Sequence, residues 1–173
     1  MRNAAKAFRE TVIDIRQAAA ADAAVVSAIL REAAAWADSR GDEVLWQLDE
    51  LSAERLAGEI DRGQFFVAWS GGEPAGVVRF QLDDVEFWPD DPGDHAAYIH
   101  RLAVRRTHAG GGVSAALLAW AAARARASGR RLLRLDCDAN RTGLRAVYER
   151  FGFTLHSYRQ VGPYYVARYE YRT

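Results

Sequence analysis

The sequence has a single cysteine, Cys137, and only four prolines and one methionine among its 173 residues. One cysteine cannot form an internal disulfide, and it also excludes a zinc site built from several cysteines. No group of histidine, cysteine and carboxylate residues shows metal-ligand spacing, so the sequence implies no metal. A chain with so little cysteine is typical of the reducing cytoplasm, and we expect the protein there.

The chain also lacks an excess of charge of either sign and a long apolar run. Its 23 Lys and Arg residues balance 23 Asp and Glu residues, so the basic surface of a general nucleic-acid binder is missing. No uncharged run approaches the ~18 apolar residues of a membrane helix, and residues 1–11 lead into no apolar core of a signal peptide. We expect no nucleic-acid and no membrane partner, and a flexible extension over residues 1–11.

The chain does have enough apolar material for one core. Half of its residues are hydrophobic and 27% are charged, a composition that excludes a disordered chain. A length of 173 residues is too short for two ordinary domains. We therefore predict a single domain over residues 1–173.

Hydrophobic periodicity and turn residues predict the element order β, α, α, β, β, β, α, β, α, β, β. Ser52 is expected to cap the second helix, with Leu51 and Leu56 as its hydrophobic staple. The clearest helix lies over residues 113–128, and residues 83–95 form an acidic, proline-containing loop. This order indicates an α+β fold in which helices flank one mixed, mostly antiparallel sheet.

The most informative stretch runs from residue 102 to residue 118, with the sequence LAVRRTHAGGGVSAALL. A strand ends there, a basic loop follows, and Gly110, Gly111 and Gly112 open a helix. Because glycine has no Cβ, successive backbone N–H groups can point at an anion beside the positive end of the helix dipole. The turn therefore indicates a phosphate or pyrophosphate site, to which Arg105 and Arg106 are expected to add charge.

Two general phosphate-binding motifs fit this turn less well. A P-loop requires Gly-Lys-Ser/Thr, whereas Val113 and Ser114 follow Gly112 here, so that motif is absent. A dinucleotide fingerprint is nominally met by Gly110, Gly112 and Ala115, with Asp136 as a ribose ligand, and it leaves a nucleotide-binding oxidoreductase open as an alternative. Residues 105–109 separate its first glycine from the strand, however, and too little chain follows for the βαβ series.

The strand, the glycine turn and the later segment AVYERFGF, residues 146–153, together resemble the GNAT family of N-acetyltransferases, over nearly the whole chain. The resemblance implies an enzyme that moves an acetyl group from acetyl-coenzyme A directly to a primary amine of a small molecule or peptide. It also implies an opening in the sheet beside residues 102–104. The family's Q/R-x-x-G-x-G/A turn aligns with residues 109–114, where Ala109 replaces the basic residue and Ser114 the last small residue. The cofactor contacts implied are Leu102, Ala103, Val104, Ala109, Gly110, Gly111, Gly112, Val113, Ser114, Ala115 and Asn140.

Acetyl transfer to an amine requires a base for the nucleophile and an acid for the leaving thiolate. The resemblance implies that Tyr148, four residues before Gly152, is the acid. His100 is the candidate base, because a histidine titrates near neutral pH and the stretch IHRLAV is similar to the histidine-bearing strand of arylalkylamine acetyltransferases. Whether His100 or a water takes the proton stays open. By the period of two, His100 is expected on one strand face with Tyr98, Leu102 and Val104.

The acceptor is expected beneath two loops, residues 41–50 and 83–95. Their aromatic residues, Trp46, Phe87 and Trp88, and several carboxylates would suit a cationic amine. Cys137 ends an apolar strand and is expected to be a buried structural residue. A non-catalytic acyl-coenzyme A sensor on the same fold remains an alternative, and the sequence allows a monomer or a homodimer.

Overall fold

The computed structural model describes residues 12–42, 46–91 and 93–173. The order of its elements confirms the prediction, whereas the extension expected over residues 1–11 lies outside the described residues. The elements are β1 (Ile13–Gln17), α1 (Ala23–Ser39), α2 (Ala53–Asp61), β2 (Phe65–Ser70), β3 (Glu73–Gln81), β4 (Ala96–Val104), α3 (Val113–Ala127), β5 (Leu132–Asp138), α4 (Thr142–Phe151), β6 (Thr154–Val161) and β7 (Tyr164–Arg172). Short 3-10 turns precede α1 (Ala20–Asp22) and α3 (Arg106–His108).

The strands form one sheet in the order β1-β2-β3-β4-β5-β7-β6. Among the described strands only β4 and β5 run parallel, and the other neighbours are antiparallel. The predicted mixed, mostly antiparallel sheet is confirmed. The single parallel pair needs a crossover connection, which α3 supplies.

Helices cover both faces of the sheet. On one face α1 and α2 pack on Phe65, Val67 and Val77, and on the other α3 and α4 pack on alternate residues such as Phe66 and Val78. The start of α2 matches the prediction, since Ser52 accepts a hydrogen bond from the Arg55 N–H at 3.2 Å. No helix in the three described segments combines the length and apolar character needed to cross a membrane.

Strand β4 contains a bulge next to His100. The register pairs Val77 with Ala103 but Arg79 with His100, so β4 carries one extra residue there, and Arg101 has a positive φ of 51°. A one-residue shift reverses the faces of all later side chains. Ala103 therefore packs toward α1 and α2, whereas Leu102 packs on the opposite side of the sheet. The prediction that His100 shares a face with Leu102 and Val104 is wrong for this reason.

Strands β4 and β5 are paired along only part of their length. Their register covers Ala96 to Tyr98 against Leu132 to Arg134, and beyond those residues the strands part. The opening in the sheet that the resemblance implies is therefore present. It leaves backbone groups of residues 99–104 on the side of β5 without a strand partner. Such groups can accept an extended ligand in the manner of an added strand.

Gly76 of β3 allows the start of α3 to approach the sheet beside this opening. A Cβ there would lie 2.9 Å from the Ala103 carbonyl oxygen and 2.9 Å from Val113 Cγ1. Both distances are shorter than side chains tolerate, so glycine is required for this close packing. The glycine turn is thereby held at the mouth of the opening.

Candidate active site

A cleft of about 1250 Å³ follows the opening between β4 and β5. Its lining includes the glycine turn and α4, and also the loops that follow α1 and β3. Most residues that the resemblance implies for the cofactor line the cleft: Leu102, Ala103, Val104, Ala109, Gly110, Gly112, Val113, Ser114 and Asn140. Gly111 and Ala115 do not.

The glycine turn has the geometry of an anion cradle. Gly110 and Gly112 have φ values of 76° and 80°, and a Cβ on either would meet nothing within 4 Å. Gly112 is the N-cap of α3, which has no side-chain cap. The first N–H groups of α3 therefore have no partner within the helix and remain available to a phosphate at its positive end. The backbone geometry that can bind an anion is therefore present without a basic side chain at Ala109.

The two arginines before the turn are engaged with α1. Arg105 lies 3.4 Å from Glu32, and the Arg106 N–H donates to Glu32 at 2.7 Å. The Arg106 guanidinium stacks over the Trp36 ring at 4.0 Å. Glu32 thus fixes the backbone that leads into the cradle. The sequence predicts that both arginines add charge at the turn. Arg105 is instead paired with Glu32 of α1, and the Arg106 guanidinium stacks on Trp36 of the same helix.

Tyr148 lies on α4. Its side chain packs in the core, and part of the residue also lines the wall of the cleft. Its ring contacts Phe153 and Tyr169, and its hydroxyl makes no hydrogen bond within the described part of the chain. Burial raises the pKa of Tyr148 well above its usual value of 10, and nearby Cys137 and Asp136 raise it further. Tyr148 therefore keeps its proton at neutral pH.

His100 lies between two carboxylates that come from different parts of the chain. Its Nε2 is 3.1 Å from Asp84 Oδ2, and its Nδ1 is 3.6 Å from Asp136 Oδ1. The side chains of Asp84 and Asp136 are each 5% exposed, and that of His100 is 16% exposed. The other oxygen of Asp84 accepts the backbone N–H groups of Glu86 and Phe87, which fixes this carboxylate.

The three groups shift one another's protonation. Burial alone would lower the pKa of His100, but the hydrogen bond to Asp84 and the charges of both carboxylates raise it above 6.5. Burial would raise the pKa of Asp84, but His100 and two backbone amides hold it below its usual value. Burial raises the pKa of Asp136 to about 6, against the opposing charge of His100. Such shifts are typical of groups that exchange protons in a reaction.

Within the described ranges, these three side chains are also close enough to one another to bind a metal ion, because their potential ligand atoms lie within 4.8 Å of one another. The sequence shows no such spacing because Asp84, His100 and Asp136 lie on a loop and two separate strands. The two ring nitrogens of His100 face different carboxylates. The arrangement is therefore a chain of three groups suited to moving a proton.

The loop between β3 and β4 reaches the cleft through Phe87, whereas Trp88 does not. The Phe87 ring lies 5.8 Å from the His100 ring, but Trp88 is fully buried between the guanidiniums of Arg134 and Arg168, at 4.3 and 4.5 Å. The expectation of Trp88 at the acceptor site is wrong, because this indole anchors the loop to the sheet. Trp46 lines the cleft as expected.

Cys137 and Asn140 complete the residues singled out from the sequence. Cys137 is buried, as predicted, and burial raises the pKa of its thiol to about 12. It is therefore a protonated core residue and a poor nucleophile. Asn140 is exposed at the cleft wall, and its backbone N–H donates to Asp138 at 2.6 Å.

Comparison with known proteins places the chain in a family. The sequence model of the acetyltransferase (GNAT) family matches residues 27–153. The chain is also similar to an uncharacterized N-acetyltransferase named YesJ from Bacillus subtilis (strain 168). The two are 33% identical over 138 residues, which cover 76% of each chain.

Solved structures share the fold at lower identity. The PaiA N-acetyltransferase of Thermoplasma acidophilum, solved in complex with coenzyme A, has a TM-score of 0.74 and 19% identity, over 92% of this chain and 99% of that one. YncA of Salmonella typhimurium, solved with its cofactor acetyl-CoA, has a TM-score of 0.70 and 16% identity, over 94% of both chains. With the family match over most of the chain, these likenesses give a plain conclusion: the chain belongs to the GNAT family of acetyltransferases.

Proposed function

We propose that this protein transfers the acetyl group of acetyl-coenzyme A directly to a primary amine of a small molecule or peptide. The observation that carries the proposal is the cleft through the sheet, which is lined by Tyr148 of α4 and by His100 of β4. Tyr148 packs on the α3 and α4 side, whereas His100 lies on the α1 and α2 side opposite Arg79. The two sides give the leaving thiolate and the incoming amine separate proton-transfer groups.

The glycine cradle and the free edge of β4 have the chemistry to hold the cosubstrate. N–H groups from Gly110 to Ala115 would bind the pyrophosphate, and residues 102–104 would pair with the pantetheine arm. When bound, the cosubstrate supplies an acetyl thioester in the opening. The relatives solved with coenzyme A or acetyl-CoA support this assignment by their shared fold.

Each proton in the reaction has a group in the cleft. An ammonium ion must lose one proton before its nitrogen attacks and a second after the C–N bond forms. His100, oriented by Asp84, takes protons from the nitrogen, and Tyr148 gives one to the sulfur as the C–S bond breaks. Of the two protons that leave the nitrogen, one restores Tyr148 by way of solvent, so the net reaction releases one proton. The buried thiol of Cys137, with its raised pKa, favours direct transfer over an acyl-cysteine intermediate.

A non-catalytic acyl-coenzyme A sensor is the second candidate, favoured by Ala109 where the family has a basic residue. A sensor would require the cradle, but it would not require the three proton-transfer groups Asp84, His100 and Asp136. We further propose that the protein acts in the cytoplasm, as its single cysteine suggests. It would work there as a monomer or a homodimer.

Two measurements separate these functions. The thermal midpoint is followed with acetyl-coenzyme A, coenzyme A and NAD, because a ligand at ~100 times its dissociation constant adds about 2.7 kcal/mol. Thiol release from acetyl-coenzyme A is then measured with a panel of primary amines. We expect stabilisation by both coenzyme A species only, and amine-dependent thiol release. Stabilisation without thiol release supports the sensor, and stabilisation by NAD alone supports the oxidoreductase alternative.

A further inference from the structure

Asp136 Oδ1 is a buried carboxylate oxygen without a hydrogen bond. It has no hydrogen-bond partner in the described part of the chain, and His100 Nδ1 lies 3.6 Å from it. The side chain is 5% exposed. Buried carboxylates ordinarily accept several hydrogen bonds, because water has been removed from them at a large cost in free energy. The site therefore lacks a donor at this oxygen.

The position of Asp136 shows where that donor would come from. The residue lies on β5 where β4 has separated from it, and it lines the cleft together with His100 and Phe87. Asp136 is thus on the side of the sheet to which we assign the amine. A ligand that reaches His100 through the cleft meets Asp136 Oδ1 at the same place.

The charges around Asp136 favour a cation there. From the loop after β3, Asp84 and Glu86 add negative charge, and on β7 the positive Arg168 is already paired with Asp90. Even a protonated His100 would offset only one of the two carboxylates that flank it. With both carboxylates ionised, the three groups together keep an excess of at least one negative charge, which a ligand with one positive charge reduces.

We propose that Asp136 Oδ1 binds the ammonium group of the acceptor, so that this site selects amines that are ammonium ions at neutral pH over weakly basic arylamines. The inference deepens the proposed function and rests on it. An alkylammonium brings both the N–H donor and the positive charge that this oxygen lacks. An arylamine, which is neutral at this pH, brings the donor without the charge.

Binding of the ammonium would also prepare His100 as a base. The negative charge of Asp136 is one reason why the pKa of His100 is raised. An ammonium ion beside Asp136 cancels that charge and repels a cationic imidazole, while Arg79 of β3 acts in the same direction. His100 then loses its proton to solvent, and its neutral Nδ1 takes a proton from the ammonium. The number of protons agrees with the net reaction, which releases one to solvent.

The test compares two amines that share an aromatic ring but differ in charge. Benzylamine is an ammonium ion at pH 7, and aniline is neutral. The value of kcat/KM is measured for both in the wild-type chain, in Asp136→Asn and in Glu73→Gln, which removes an exposed carboxylate at the start of β3. For each amine, the kcat/KM of a variant is divided by that of the wild-type chain. The intrinsic nucleophilicity of the amine cancels in this ratio. Each assay is run with and without EDTA, so that activity without a metal ion at Asp84, His100 and Asp136 is measured separately.

We expect Asp136→Asn to lower kcat/KM for benzylamine at least about tenfold, mainly through KM, and for aniline by less than about threefold. Glu73→Gln should leave both values unchanged. Equal losses for the two amines in Asp136→Asn would overturn the inference while leaving the proposed function in place, as would loss of all activity in EDTA. If no amine is acetylated by the wild-type chain, the proposed function fails and the inference fails with it.

The wild-type chain gives a second readout that does not depend on the variant. The KM for benzylamine should rise as the pH falls through the pKa of Asp136, because the protonated carboxyl cannot pair with an ammonium. The thermal shift with acetyl-coenzyme A should stay constant over the same pH range. A KM for benzylamine that does not change between pH 7.5 and pH 5 overturns the inference.

Discussion

The Nε2 atom of His100 lies 3.1 Å from Asp84 Oδ2, and two backbone amides hold the other oxygen of that carboxylate. The loop between β3 and β4 thus fixes one ring nitrogen of the candidate base. The other nitrogen faces Asp136 and the cleft. A histidine held in this way has a defined orientation, so its neighbours should control the pH at which it works.

Asp84→Asn should move the acidic limb of the pH profile of kcat/KM to lower pH. Asp84 raises the pKa of His100 through a hydrogen bond and through its charge, so its removal lets His100 become neutral at lower pH. Rates are measured from pH 5 to pH 9 with benzylamine. The matched control is Asp83→Asn, an exposed neighbour whose removal should leave the limb in place. A limb that stays fixed in Asp84→Asn, or that moves equally in both variants, contradicts the role of Asp84.

Tyr148→Phe should lower kcat by about a hundredfold, the usual contribution of a general acid. Acetyl-coenzyme A should bind with unchanged affinity, because the ring that packs on Phe153 and Tyr169 is retained. Turnover and the dissociation constant are measured on the same preparation. An unchanged kcat would exclude Tyr148 as the acid, whereas weaker binding with unchanged kcat would make it a cosubstrate contact.

Gly112→Ala should weaken the binding of acetyl-coenzyme A. The residue has a φ of 80°, so alanine costs about 1–2 kcal/mol of stability, and its methyl group would project into the open space of the cradle. Gly129→Ala is the control, because Gly129 follows the other end of α3 with a φ of 74° and equally open surroundings. Both variants should lose similar stability, measured by urea unfolding, but only Gly112→Ala should raise the KM for acetyl-coenzyme A. Equal KM values for acetyl-coenzyme A in the two variants would contradict the assignment of the glycine turn as the cosubstrate site.

Arg168→Ala should destabilise the protein by about 2 kcal/mol and raise the KM for the amine, because the buried arginine loses its packing and its hydrogen bonds. Arg168 donates to both oxygens of Asp90 and to the Phe87 carbonyl, and it stacks on Trp88. Its removal takes away one of the two guanidiniums that anchor Trp88 and the loop that carries Asp84. Arg159→Ala is the control, since Arg159 also lies near Asp90, at 3.4 Å, but is one-third exposed.

Arg159→Ala should lower the free energy of unfolding by less than about 1 kcal/mol, because exposed ion pairs contribute little to stability. Unfolding free energies and the KM for benzylamine are compared in the two variants. A loss of stability in Arg168→Ala without any change in KM would mean that the anchor does not position the acceptor site.

Asp136→Asn should stabilise the protein at pH 7.5 although it impairs acetylation. The pKa of Asp136 is about 6 in the folded chain, against 3.8 without the fold. The folded state therefore favours the protonated carboxyl, and the wild-type chain loses stability as the pH rises from about 4 through about 6. Because asparagine does not ionise, the variant keeps the free energy of unfolding that the wild-type chain loses over this pH range, about 1–3 kcal/mol. The difference in unfolding free energy should disappear near pH 4, and a variant less stable than wild type at pH 7.5 contradicts the assignment.

The sequence predicts the parts of the site that depend on local signals. The element order, the capping of α2 by Ser52 and the glycine turn all follow from periodicity or from residues with special backbone conformations. The bulge beside His100 does not, because a one-residue shift in β4 is defined by its pairing with β3. Trp88 shows the same limit, since the two arginines that bury it come from β5 and β7.

The chain of Asp84, His100 and Asp136 is the feature that local patterns miss most clearly. Its members lie on a loop, on β4 and on β5, and they meet only because the two strands run parallel and then part. Asp136 is visible in the sequence only as a ribose ligand of the dinucleotide alternative. An acidic residue directly before a buried cysteine on a strand is the one signal that points to it.

The most direct test follows the fate of the acetyl group itself. Acetyl-coenzyme A labelled with ¹³C in its acetyl group is incubated with benzylamine and the wild-type chain, and the amine product is examined by mass spectrometry and NMR. We expect labelled N-acetylbenzylamine in an amount equal to the free coenzyme A released, with no label on the protein. Coenzyme A release without labelled amide, or stable labelling of Cys137, would contradict direct transfer to an amine.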